Sequence, residues 1–256
     1  TIEKDARDRP GEEDIVSLLL LRAVADACGV LARPDLPLTG SERVEIELFP
    51  SELIAGVERG ERAMAVIRSD GTVVSTPVRG AEDRWVVLSG AFNPAHEGHL
   101  ELARAAAEHM GLPALFELPI VNADKAPIGM FEARLRAQQF AGRGTLVLTR
   151  APLFVEKAAL FPGSVFVLGL DTAERILEPR FYNGSEEQMR AALQGIAAHG
   201  CRFLVAGRLG EGEEYKTLRH LPVPDDMRGL FEELPEGSFR RDVSSTEIRA
   251  GWGERG

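Results

Sequence analysis

Val86-Val87-Leu88-Ser89-Gly90-Ala91-Phe92-Asn93-Pro94-Ala95-His96-Glu97-Gly98-His99-Leu100 is the stretch on which the fold turns. Trp85 to Ser89 reads as a central parallel strand, because its apolar run is continuous rather than alternating. Gly90 permits a tight turn with close approach of the backbone. From about His96 the positions Leu100, Ala103, Ala106, Ala107 and Met110 recur at helical spacing. A strand that breaks at glycine and re-enters a helix gathers free backbone N–H groups and the positive end of the helix dipole in one place, which favours an anion such as phosphate. His96 and His99 share one face of that first turn, where both are placed to donate hydrogen bonds to phosphate oxygens. Their spacing argues against a His-Glu-x-x-His zinc site, which needs ligands four apart, and no metal ligands are expected in the chain.

Working outward, strands and helices alternate from Arg84 onward. Strands are expected at Trp85 to Ser89, Ala114 to Leu118, Thr145 to Leu148, Ser164 to Leu168 and Arg202 to Ala206. Helices are expected near Gly98 to Met110, Phe131 to Phe140, Leu153 to Leu160, Thr172 to Leu177 and Glu186 to His199. Such alternation predicts an α/β fold, a parallel sheet with helices on both faces and ligands at the carboxyl ends of its strands. No Gly-x-x-x-x-Gly-Lys-Ser/Thr occurs, so the phosphate site is not a P-loop. Residues 83–256 are assigned to this domain and residues 1–82 to a small N-terminal α+β segment. In that segment Gly11 to Gly29 has a helical stripe of Leu20, Leu21, Val24, Ala27 and Cys28, and Arg43 to Val78 reads as short strands with a turn at Ser69-Asp70-Gly71.

Further positions stand where a site at the strand ends would form. Ser244 with Glu247 is a capping box, and a capped helix start is itself an anion site, to which Arg249 adds a charge-assisted bond one turn later. Lys125, one of four lysines among 30 basic residues, follows the second strand of the main domain. It is either a phosphate contact or a solvated loop charge. Asp171 follows Gly169-Leu170, where it orients a nucleotide or simply caps the next helix. Arg208, just past the fifth strand, is a ligand contact or a lone surface arginine.

Gly90-Ala91-Phe92-Asn93-Pro94-Ala95-His96-Glu97-Gly98-His99 resembles the first signature of the nucleotidyltransferase superfamily, Gly-x-Phe-Asp/Asn-Pro-x-His-x-Gly-His, which grips a nucleotide triphosphate. Val243-Ser244-Ser245-Thr246-Glu247-Ile248-Arg249 resembles the Ile-Ser-Ser-Thr-x-Ile-Arg motif that closes the same site. The two stand in the superfamily's order, about 145 residues apart. Ala91 departs from the pattern, lacking the usual hydroxyl. Gly169-Leu170-Asp171 resembles the Gly-x-Asp of nicotinate and nicotinamide mononucleotide adenylyltransferases. The resemblance implies a Rossmann-like sheet and transfer of an adenylyl group from ATP, with Mg²⁺, to a phosphorylated small-molecule acceptor. It implies catalytic roles for His96, His99, Lys125 and Arg249. Nucleotide binding falls to Ser89, Gly90, Ala91, Phe92, Asn93, Gly98, Gly169, Asp171, Arg208, Ser244, Ser245 and Thr246. Other members act on pantetheine, glycerol or choline phosphate, and a non-catalytic nucleotide-binding module is a further alternative. Over about 30 residues, Glu12-Glu13-Asp14-Ile15-Val16-Ser17 and the Leu-rich helix after it are similar to the tail of a CinA-like nicotinamide-nucleotide amidase domain. No amidase activity is expected from a tail alone.

Composition sets the outer bounds. With 256 residues, 44% of them hydrophobic, the chain is long enough for one large domain and a smaller piece. A formal charge of −10 without any Lys/Arg cluster argues against sequence-independent nucleic-acid binding. Cys28 and Cys201 form neither a metal spacing nor a disulfide framework, which fits a reducing cytoplasm. Leu18 to Leu21 is too short to span a bilayer, so no membrane association is expected. A homo-oligomer is compatible with all of this. The chain starts at Thr1, as a processed or truncated product would.

Overall fold

Val86 and Leu88 lie in one hydrophobic core cluster and Val87 in another, which is why the strand reads as an unbroken apolar run: its side chains alternate between two buried faces. The structure is a computed structural model and describes residues 6–27, 34–40, 42, 52–75, 84–121, 127–209 and 214–239. In chain order its elements are α1 (Arg9–Ala27), α2 (Glu52–Glu58), β1 (Met64–Ile67), β2 (Val73–Val74), β3 (Val86–Ser89), α3 (Glu97–Met110), β4 (Ala114–Pro119), α4 (Met130–Gln138), β5 (Leu146–Thr149), α5 (Phe154–Leu160), β6 (Val165–Gly169), α6 (Leu170–Ile176), α7 (Glu186–Ala198), β7 (Arg202–Ala206), β8 (Arg208–Leu209), β9 (Tyr215–Lys216) and β10 (Phe231–Leu234). The ten expected strands and helices of the main domain are all present, with ends displaced by at most two residues.

Eight strands form one sheet in the order β10-β7-β6-β3-β4-β5-β1-β2. All neighbours from β10 to β5 are parallel. The chain winds outward from β3 through β4 to β5, returns to the other side of β3 as β6, and winds on through β7 to β10. This is a doubly wound, Rossmann-like sheet, and its winding reverses between β3 and β6, which pair with Val86 opposite Val165 and Leu88 opposite Val167. Connections leave the carboxyl ends of those two strands in opposite directions, so a crevice opens there. One core cluster joins Val86, Leu88, Phe116 and Leu148 to Leu102 and Ala106 of α3. The other joins Val87, Phe166 and Phe203 to Ala158 of α5, Ala173 of α6 and Leu193 of α7.

The expected boundary at 82/83 moves. β1 pairs antiparallel with β5 from Met64 opposite Thr149 to Ile67 opposite Leu146, and β2 extends that edge. The chain divides instead into Thr1–Ser51 and Glu52–Gly256. The turn at Ser69-Asp70-Gly71 links β1 to β2, with the Asp70 carboxylate accepting from the Thr72 N–H at 2.8 Å. Where only strands were expected, α2 is a helix that buries Ile54 and Val57. In the first unit α1 forms as the sequence pattern requires, but Leu20, Leu21 and Val24 of its apolar stripe are exposed. In the same unit the Arg7 guanidinium pairs with Glu42, whose carboxylate also accepts from the Thr39 N–H at 2.8 Å. Cys28, Gly29 and the stretches 43–51 and 76–83 lie outside the described residues.

Candidate active site

The loop leaving β3 is fastened at nearly every residue. Phe92 sits at φ 46°, a left-handed backbone that costs a side-chain-bearing residue of order 1 kcal/mol. Burying its ring offsets that, at about 2–3 kcal/mol: Phe92 is 1% exposed and meets Phe140 and Phe116 edge-on at 4.9 and 5.9 Å. The ring folds back over Gly90, where a Cβ would lie 2.9 Å from Phe92 Cε1. Glycine is thus required at position 90 by close approach. Gln139, just past α4, donates from Nε2 to the Phe92 carbonyl at 3.1 Å and accepts at Oε1 from the Ala95 N–H at 2.8 Å. Arg136 donates to the Ala91 carbonyl at 2.9 Å while paired with Glu132. Between these clamps the Asn93–Pro94 peptide is cis, and Asn93 is exposed.

His96 is the N-cap of α3 in extended conformation (φ −141°, ψ 167°), and its backbone N–H donates to His99 Nδ1 at 3.2 Å. An amide donor on Nδ1 requires that nitrogen to be unprotonated, so neutral His99 carries its proton on Nε2 and presents a donor there. The two imidazoles stack with centroids 3.7 Å apart, and Phe92 meets the His99 ring edge-on at 5.1 Å. Burial first, and the neighbouring His96 second, lower the pKa of His99 from 6.5 to about 4. At neutral pH His99 is therefore an uncharged hydrogen-bond donor beside the helix start.

Directly beneath the loop lies a polar cluster that sequence reasoning missed. Glu117 in β4 is fully buried and pairs with Lys157 of α5, whose Nζ is 2.9 Å from both carboxylate oxygens. Ser89 and Thr149, the last residues of β3 and β5, donate their hydroxyls to the same carboxylate. Lys157 also donates to the Ala151 carbonyl at 2.6 Å. The hydroxyl of Ser89, a residue expected to bind nucleotide, is thus donated to a carboxylate of the protein itself. A glutamate inside the apolar run Ala114–Pro119 was the available signal; its lysine partner, 40 positions on, left none.

Across the switch point, α6 begins at Leu170 with Gly169 as N-cap and no side-chain capping bond. Asp171 therefore does not cap the helix. Its carboxylate pairs with Arg208, so these two expected site residues are brought together at the carboxyl ends of β6 and β7, and both are largely exposed. Among the described residues no protein atom lies within 4 Å of where a Gly169 Cβ would project. Gly98 is buried in the first turn of α3. Lys125, Ser244, Ser245, Thr246 and Arg249 fall outside the described residues. Among the described residues no three His, Cys, Asp or Glu side chains gather as a metal site, and no helix is long and apolar enough to cross a membrane.

The loop between β3 and α3 presents two histidines at the reversal point of the doubly wound sheet, and the family match identifies the chain as a nucleotidyltransferase. The cytidylyltransferase-like family model matches residues 87–251, and the chain belongs to that family. It is similar to a protein of Gloeobacter violaceus named "Probable nicotinate-nucleotide adenylyltransferase", 25% identical over 191 residues that cover 66% of this chain and 87% of the relative. Proteins of the same name from Trichormus variabilis and Nostoc sp. are 26% and 27% identical over 142 residues, covering 50% of this chain and 62% of each relative.

Proposed function

We propose that this nucleotidyltransferase moves the adenylyl group of ATP onto the phosphate of nicotinate or nicotinamide mononucleotide. A phosphate oxygen of the mononucleotide attacks the α-phosphorus in line, the bond from that phosphorus to the β-phosphate oxygen breaks, and pyrophosphate leaves. The observation that carries this reading is the clamped histidine loop. Its neutral His99 holds an Nε2–H donor beside a helix start without needing a proton from solvent. Such chemistry needs positioning and charge stabilisation, not a general base, because the attacking phosphate is already ionised near pH 7. His96 and His99 hold the triphosphate, and Lys125 and Arg249 share its developing charge. Ser244, Ser245 and Thr246 receive the β- and γ-phosphates at the start of their helix. Mg²⁺, a small hard cation, would be held chiefly by the ATP phosphates and water and would screen their charge. Asn93, Asp171 and Arg208 orient the nucleotides, and the names of the relatives support a pyridine acceptor.

The test is incubation with ATP, Mg²⁺ and, separately, nicotinate mononucleotide, nicotinamide mononucleotide, pantetheine phosphate, glycerol phosphate and choline phosphate, with chromatography of the products. A dinucleotide from a pyridine mononucleotide, formed one-to-one with pyrophosphate, is expected. Turnover with only the other phosphates would reject the acceptor and leave the nucleotidyltransferase.

A further inference from the structure

Burying an ion pair costs several kcal/mol per ion, and apolar residues of similar volume often serve stability as well or better. Glu117 and Lys157 are nonetheless 0% and 3% exposed at the side chain, and what they hold is specific. Glu117 grips the start of the histidine loop twice: its backbone carbonyl accepts the Gly90 N–H at 3.0 Å, and its carboxylate accepts the Ser89 hydroxyl. The same carboxylate takes the Thr149 hydroxyl, and Lys157 reaches on to the Ala151 carbonyl. One buried pair thus ties together the carboxyl ends of β3, β4 and β5, the edge from which the loop departs.

We propose that Glu117, backed by Lys157, is a positioning residue: it fixes the Ser89–Gly90 step and through it the placement of His96 and His99 on the phosphates. The inference rests on the adenylyl-transfer reading, in which those histidines act. Displacing groups held for a transition state by as little as 1 Å costs up to about a hundredfold in rate, so the gain from a rigid anchor is in turnover more than in nucleotide affinity.

The double variant Glu117→Leu/Lys157→Met replaces the pair with apolar side chains, so its thermal midpoint stays near that of the wild-type chain. Two readouts follow. Turnover should fall on the order of tenfold or more with the Michaelis constant for MgATP little changed, and the ¹⁵N titration of His99 should move up from about 4 as the loop loosens. In an active enzyme, either readout unchanged in the folded variant overturns the proposal, since a pair that served stability alone would move neither. If the double variant fails to fold, Ser89→Ala, which removes only the hydroxyl between carboxylate and loop, carries the same two readouts. If the wild-type chain releases no pyrophosphate with any acceptor, the functional reading fails by itself and the His99 titration alone decides the positioning role.

Discussion

The two sides of the switch point are built on opposite principles. After β3 the loop is closed on itself: Phe92 is packed in the core, Gln139 and Arg136 occupy backbone carbonyls, and His99 is mostly buried and neutral at physiological pH. After β6 and β7 the site is open, with Asp171 and Arg208 paired to each other in solvent. Surface pairs of this kind add little to stability and exchange partners readily. In the proposed reaction the polyphosphate falls to the rigid side and the nucleosides to the adaptable side.

The largest effects are expected on the rigid side. His99→Ala should cut turnover on the order of a hundredfold, as removal of one preorganised donor does, while circular dichroism stays that of the wild-type chain; turnover near wild type would take His99 out of the mechanism. Gln139→Leu keeps the bulk of the side chain but releases the Phe92 carbonyl and the Ala95 N–H, so about a tenfold loss of turnover is expected. Steady-state kinetics that instead show only a raised Michaelis constant would make the clamp a binding element.

On the adaptable side the effects are smaller and of another kind. Asp171→Ala should raise the Michaelis constant for the acceptor a few-fold and leave the unfolding midpoint unmoved, because an exposed pair holds little of the fold. A clear drop in thermal midpoint would show the pair to be structural. The finest distinction is in pH dependence. His99 has a folded pKa of about 4 against 6.5 unfolded, so below 6.5 the unfolded chain binds the extra proton and the folded chain does not. Its contribution to stability is complete above pH 6.5 and is lost as pH falls from there toward 4. Urea unfolding of His99→Asn should show a shallower decline over that interval than the wild-type chain, and equal slopes would mean that His99 is not held neutral.

Much of this was legible in the sequence because the signals were local. The run Val86–Leu88, the turn at Gly90 and the helical period from Leu100 each follow from a few neighbouring residues, and so does the placement of His96 and His99. What escaped is non-local or short. α2 spans seven residues, too few for its Ile54 and Val57 to declare a period. β10 carries Glu232 and Glu233 between its buried ends, which masks a strand at the sheet edge. The pairing of β1 with β5 joins residues some 80 positions apart, and so the domain boundary was set too late. Gln139 and Lys157 looked like ordinary helix residues until the fold brought them to the loop and to Glu117.

In the proposed reaction the α–β linkage of ATP breaks while the rigid loop holds the leaving pyrophosphate. Phosphorus-31 resonance of a reaction containing the protein, MgATP and nicotinate mononucleotide reads this directly. A pyrophosphate signal growing in step with the diphosphate signals of a dinucleotide is expected, and neither with His99→Ala on the same time scale. ADP and inorganic phosphate in place of pyrophosphate would mean cleavage at the γ-phosphate and would contradict the proposed reaction.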